Sequence, residues 1–455
     1  MVNKKSLTDG PIAKSIILFA IPILLSNLFQ QLYNSIDTAV VGQYVGPAAL
    51  AAVGGGTGSL INLMIGFFLG ISTGTGVLFA MRFGAGDYPG LKKLIDSALV
   101  IAAVSALFIS FVGIVFCRQL LEMMGTPDDV IPPAMLYLRI YFAGTLANLI
   151  YNVGSGIIQA EGDSTRPLIY LVISGVTNLV LDITLVAVFH AGVAGAAIAT
   201  IAAQILSAIL VVWRLTRLNP AYRLRLLHIR PDWETSKAII RIAVPCGLQG
   251  SMFNISNILV QVKINSFGTV AMAGVTAYTK IDAFSYTSTH ALGLAITTFV
   301  GQNVGAGYYH RIQKGMRVCL IMSIIIAVTI ATLVFVFCYP LLGLFTDDAQ
   351  AKDIGMQMMH FIIPFTWLLS FNDIMGGAIR GSGQATAVTV IAAVSVCAYR
   401  VLWLIIVLHF IHDLRVVFLC YPISWFLNTV SLMVFYFARS KLKRSIRADA
   451  AARTA

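Results

Sequence analysis

Two aspartates fall inside runs long and apolar enough to be membrane helices, Asp37 amid Tyr and Asn and Asp182 within an apolar stretch. Asp37 ends the run Gln30-Gln31-Leu32-Tyr33-Asn34-Ser35-Ile36-Asp37, and Asp182 sits in Thr177-Asn178-Leu179-Val180-Leu181-Asp182-Ile183. A charged side chain in a lipid-embedded helix costs about 2.5–3.5 kcal/mol on insertion scales, so each is a functional candidate by default. The chemistry open to a carboxylate there is to bind and release a small cation. Asn178 stands four residues before Asp182 and therefore shares its helix face. Tyr33, Asn34 and Asn152 are polar residues suited to line a wet cleft beside the carboxylates. The structural alternatives are an interfacial cap for Asp37, since Gly42 follows soon after, and a helix–helix hydrogen bond for Asp182.

The second half carries Lys263, Lys280, Asp282, Asp373 and Arg400 inside apolar runs. Lys280 and Asp282 are two residues apart, so on a helix they point in different directions, toward other helices or a cleft. Asp373 is expected either to line that cleft or to pair with Arg400 or Lys280. Arg139 lies near a span end, where its stem can snorkel. The seven His are dispersed, and there is no GxSxG, HExxH or Walker loop, so no catalytic constellation is expected. Without a nucleotide site, any work must draw on an ion gradient or the membrane potential, worth about 2.3 kcal/mol per charge per 100 mV.

Such residues need helices to hold them in oil, and composition supplies them. Of 455 residues, 58% are hydrophobic and 11% charged; a soluble domain carries roughly 25% charged residues. The mean hydropathy is +0.86. The 38 glycines suit closely packed transmembrane helices. Net charge is +12, but the basic residues cluster between apolar spans. They read as topology signals facing anionic lipid, not as a nucleic-acid surface. The 6 cysteines form no CxxC pair and are expected to be apolar core. Met64, Met252 and Met272 offer adaptable surface, and the aromatics supply core, interface belt and stacking for cationic compounds.

Runs long enough to cross a bilayer, about 20 residues each, lie near 13–36, 48–80, 94–117, 131–158, 167–189 and 193–215, then 238–266, 271–300, 316–340, 354–379, 386–411 and 415–438. The first is expected to be a membrane helix and not a removed signal peptide. The fold class is thus an all-α membrane protein of twelve transmembrane helices. It divides into an N-terminal six-helix bundle (1–215), a cytoplasmic linker (216–237), and a C-terminal six-helix bundle with a basic cytoplasmic tail (238–455). The halves repeat. Pro22 answers Pro245, Gly46 answers Gly268, Gly84-Ala85-Gly86 answers Gly305-Ala306-Gly307, and Gly156 answers Gly377, all about 222 residues apart. Most Lys and Arg fall at the termini and in the even-numbered connections, which places both termini in the cytoplasm. An even number of spans per half makes the repeat parallel, with a pseudo-two-fold axis along the membrane normal and a cleft between two bundles that can rock.

The pattern Gln31-Leu32-Tyr33-Asn34 through Asp37, then Val40-Val41-Gly42, resembles the first helix of the multidrug and toxic compound extrusion (MATE) family. So do the Gly84-Ala85-Gly86 loop, Asn178 through Asp182, the run Gly192-Val193-Ala194-Gly195-Ala196-Ala197-Ile198-Ala199-Thr200, and Gly305-Ala306 after Gln302. The resemblance covers nearly the whole chain. It implies an antiporter of the cell (inner) membrane that exports cationic or amphipathic compounds against an inward proton or sodium gradient. It implies a coupling site at Asp37, Asn178, Asp182 and Thr200, whose oxygens are the hard ligands sodium prefers. No cofactor, no nucleic-acid partner and a monomer in membrane lipid are expected. The seventh span, with Gln249, Asn254 and Asn257, has no carboxylate, so the second cation site of one sodium-coupled branch is not matched.

Two other readings remain. A lipid-linked glycan flippase of related fold needs a strongly cationic cleft, and only Lys263, Lys280 and Arg400 qualify. A membrane-embedded enzyme needs convergent metal ligands or acids at one face, which the sequence does not offer.

Overall fold

The computed structural model describes residues 6–45, 52–54 and 56–454. Gly46, one of the repeat landmarks, lies outside them. Every extended element among the described residues is helical. The first half runs α1 (Ile12–Tyr44), α2 (Gly56–Gly84), α3 (Tyr88–Val115), the short α4 (Cys117–Met123), α5 (Ile131–Ala143), α6 (Thr145–Ala160), α7 (Thr165–Asp182) and α8 (Gly192–Thr216). The second runs α9 (Trp233–Asn265), α10 (Thr269–Gly305), α11 (Tyr309–Val336), the short α12 (Cys338–Gly343), α13 (Ala349–Ile362), α14 (Trp367–Gly381), α15 (Ala385–Ala392), α16 (Tyr399–Phe410), α17 (Leu414–Ala438) and α18 (Lys441–Thr454).

Nine helices among the described residues are individually long and apolar enough to cross a membrane, and α13 with α14 forms a tenth span bent by 50°. The broken pair α5–α6 and the 37-residue α10 complete twelve. α5 and α6 are individually shorter than a full span, 13 and 16 residues, because the chain breaks at Gly144, and α10 carries Lys280 and Asp282 in its middle. At about 1.5 Å per residue α10 is far longer than the hydrocarbon core, so its ends extend beyond it.

By their contacts the residues divide into two units, one from Leu25 to Gly247, the other comprising residues up to Leu24 together with those from Leu248 onward. The division passes through α1 and α9, soon after Pro22 and Pro245, the prolines inside those helices. Proline has no N–H to give the i→i−4 ladder, so each of these long helices lacks one backbone hydrogen bond near the change of unit. The 216–237 segment belongs wholly to the first unit. Asp232 caps α9, accepting from the Thr235 amide at 3.0 Å and its hydroxyl at 2.7 Å, and pairs with Lys93 at 3.0 Å. Tyr222 donates to buried Glu161 at 2.6 Å, and Arg214 meets the same carboxylate at 3.4 Å.

The first unit's core runs through Phe68, Leu91, Leu138, Ile157 and Val211. Gly70 and Gly74 lie one turn apart on α2, where an added Cβ would collide with the backbone of Cys246 and Ala243; this close approach needs glycine. The second unit has one cluster around Phe299 and Ile374 and another around Tyr278 and Phe418. All 6 cysteines are buried and free, as expected of apolar core.

Candidate functional site: a buried carboxylate pair

Four helices of the first unit meet around Asp37 and Asp182. On α1, Tyr33 and Asp37 stand one turn apart; on α7, Asn178 and Asp182 do the same, with Asn178 at 1% and Asp182 at 0% exposure. α8 brings Thr200 and Gln204, and α5 brings Tyr137 and Tyr141, whose rings stack at 6.2 Å. The carboxyls of Asp37 and Asp182 interact directly with each other. The Tyr33 hydroxyl lies in the field of both carboxylates, as does that of Tyr137. Gln204 Nε2 donates to the Tyr141 hydroxyl at 3.4 Å.

What sets this place apart is missing hydrogen bonds. Asp37 Oδ1, both Asp182 carboxyl oxygens, Gln204 Oε1 and Asn178 Nδ2 are buried without a hydrogen-bond partner among the described residues. Buried polar atoms are nearly always satisfied, and leaving one unmade costs about 1–3 kcal/mol. Five such atoms on four residues of one site form an oxygen-rich cage suited to an ion or proton. Thr200 donates its hydroxyl proton to Ala196 O at 3.0 Å, which leaves its oxygen lone pairs for a ligand.

The backbone explains the placement. Immediately after Asp182 the helix widens to a π turn over Ile183–Val188, a feature frequent at functional sites. Chain reversal then uses left-handed backbone at His190 and Gly192 before α8 begins. The break between α5 and α6 at Gly144 frees α5 to aim its tyrosines inward. Asn152, on α6, is engaged by Asn148 at 2.7 Å, and Asn34 is exposed on α1. Sequence reasoning missed Tyr137, Tyr141 and Gln204. Two tyrosines one turn apart in a span were the available signal.

In the second unit the anticipated residues are dispersed. Asp282 accepts from the Tyr278 hydroxyl at 3.3 Å, and both line a narrow pocket with Ser285, Tyr286 and Thr366. Asp373 does not pair with Arg400 or Lys280, as anticipated. It faces His290 at 3.8 Å, because α10 and α14 pack through Gly293 directly against Asp373. Lys280 is exposed, as is Lys263, whereas Asp282 is half-buried, as their two-residue spacing implies. Arg400 is buried and donates to Ser424 and Asn257, each at 3.0 Å.

The MatE family matches this chain twice, over residues 22–184 and again over 245–406, which reproduces the internal repeat. YpnP of Bacillus subtilis, a probable multidrug resistance protein, is 29% identical over 86% of this chain and 88% of its own length. The FAD transporter of Shewanella oneidensis is 25% identical over 78% of each chain. A multidrug resistance MATE family transporter of the MOP superfamily, solved facing outward, shares the fold with a TM-score of 0.88 over 98% of this chain and 99% of that one, at 22% identity. The likeness read from the motifs around Asp37 and Asp182 therefore extends through both halves in order, and the chain belongs to the MatE family.

Proposed function

We propose that this multi-pass membrane protein is an exporter of cationic or amphipathic small molecules, driven by inward flow of protons or sodium and coupled at Asp37, Asn178, Asp182 and Thr200. The observation that carries the reading is the carboxylate pair with its unpartnered oxygens in the core of the first unit. Relatives bear names of two kinds, multidrug resistance and FAD transport, so the cargo is argued here from the residues.

The mechanism follows from charge. With the cleft open outward, an ion or proton binds between Asp37 and Asp182 and cancels the negative charge that would hold a cationic cargo. Tyr33 and Asp37 share one face of α1, so the repacking that follows is felt along that helix. The cargo leaves, the protein turns inward, and the low cytoplasmic ion concentration empties the site for the next cargo. Linkage requires the effect to be reciprocal: cargo weakens the ion as much as the ion weakens cargo. Positive charge on the terminal segments places both termini in the cytoplasm, and the working unit is a monomer in lipid. No cofactor enters this cycle.

The flippase reading calls for clustered intramembrane cations. Of the three read inside the second-half spans, Lys263, Lys280 and Arg400, Arg400 stands on a different helix from the two lysines, which favours the exporter.

The test is uptake of an ethidium-like dye into proteoliposomes, with sodium and pH gradients imposed separately. Asp37→Asn and Asp182→Asn should each insert normally and lose at least about tenfold in gradient-driven transport, the size expected when a charged contact is removed. Full transport by the double variant would refute the assignment.

A further inference from the structure

The repeat places a second buried charge in the second unit, of opposite sign. The two family matches end about 222 residues apart, at 184 and 406. At that offset the counterparts of Asp37 and Asp182 are Leu259 and Leu404, while Asn178 corresponds to Arg400. Thr200 falls within a residue of Tyr421, and Asn34 of Asn257. The same three spans of the repeat that cage two carboxylates in the first unit cage a guanidinium in the second.

Arg400 lies near the middle of the span Ala385–Phe410 and is 4% exposed. Its Nε donates to the Ser424 hydroxyl at 3.0 Å, and one terminal nitrogen to Asn257 Oδ1 at 3.0 Å. The Tyr421 ring lies 4.5 Å from the guanidinium carbon. All three partners are neutral. Among the described residues no Asp or Glu pairs with Arg400; buried Glu161 pairs with Arg214, and Asp373 faces His290 at 3.8 Å. Asp282, the acid of the neighbouring pocket, is engaged by the Tyr278 hydroxyl at 3.3 Å. A desolvated cation without an anion is expensive, and proteins keep such a charge when a partner arrives from outside. Guanidinium has five N–H donors, so donors remain for an oxyanion, which arginine recognises with two parallel hydrogen bonds. A π turn, Ala393–Ala398, shortly precedes Arg400 on its span, a feature frequent at functional sites.

We propose that Arg400, oriented by Asn257, Ser424 and Tyr421, is an anion-binding site of the second unit that takes the carboxylate or phosphate of an organic molecule. The role of that molecule as cargo rests on the exporter reading; its binding does not.

The experiment measures binding to the purified full chain in detergent at fixed ionic strength, by calorimetry and by ligand-induced thermal shift. The probes are phenyl phosphate, benzoate and chloride. Saturable binding of phenyl phosphate or benzoate is expected, weakened at least tenfold in Arg400→Gln and partly restored in Arg400→Lys. Should Arg400→Gln fail to fold, Ser424→Ala keeps the charge but removes an orienting acceptor, and a several-fold loss of affinity is expected there. No saturable organic-anion binding, unchanged affinity in both variants, or binding of chloride alone each overturns the proposal. Since the readout is binding, a failure of dye export by the wild-type protein leaves this result interpretable on its own.

Discussion

Two carboxylates in contact inside an apolar bundle repel each other unless something positive lies between them. Asp37 and Asp182 are in that position, and among the described residues the groups around them are amides and hydroxyls, with no lysine or arginine acting on Asp182. A proton bridges two carboxylates without help. Sodium needs further oxygens, and Thr200, Asn178 and Gln204 can supply them. This separates the two coupling ions by mutation. Thr200→Val keeps the volume but removes an oxygen; it should raise the sodium concentration for half-maximal transport about tenfold, the worth of one good ligand at 1.4 kcal/mol, and leave proton-driven transport near wild type. Equal loss of both would show that Thr200 serves the helix and not the ion. Asp37, Asn178 and Asp182 were legible in the sequence because a charge in oil stands out. Tyr137 and Tyr141 were not, because buried tyrosines are common and only the bend at Gly144 reveals where they point.

At the scale of elements, the helix prolines matter most. α1 and α9 each carry a proline near where the contacts change from one unit to the other. Pro22→Ala adds the missing N–H donor and stiffens α1, so transport should fall while ion binding at Asp37 persists; loss of both would point to misfolding. Gly74→Leu forces α2 away from α9 at Ala243 and should destabilise by about 1–3 kcal/mol, as overpacking does, seen as a lower unfolding temperature. The cap of α9 gives a pH signature. Hydrogen bonds from Thr235 and then from Lys93 hold the Asp232 carboxyl down at about 2, below the roughly 3.9 of an unfolded aspartate. Its stabilisation is therefore complete above about pH 4 and disappears as pH falls through about 2. Asp232→Ala should lower the unfolding temperature at neutral pH and reduce its pH dependence between those limits. Hydropathy located the spans, but not the π turns at Ile183–Val188 and Ala393–Ala398, nor the short helices at Cys117–Met123 and Cys338–Gly343. Each of these is set by packing against neighbours that local sequence does not reveal.

For the molecule as a whole, the repeat was the feature most fully written in the sequence, since Pro22 with Pro245 and Gly156 with Gly377 keep one register. The structure extends it: the short helices recur, and the break at Gly144 recurs at Ile363–Phe365. The chemistry did not recur. One half keeps Asp37 and Asp182, the other has leucines there and Arg400 beside them. The halves share a scaffold, and polarity diverged within it. A cycle built on this scaffold exchanges ion for cargo, and that exchange can be counted directly. A lipophilic cation such as tetraphenylphosphonium is added to purified protein in weakly buffered sodium-containing detergent solution, while a pH dye and a sodium electrode record what leaves. The account predicts release of a proton or sodium ion from the wild-type protein and none from the Asp37→Asn, Asp182→Asn double variant. Equal release from that variant, or binding of the cation with no ion displaced, would contradict it.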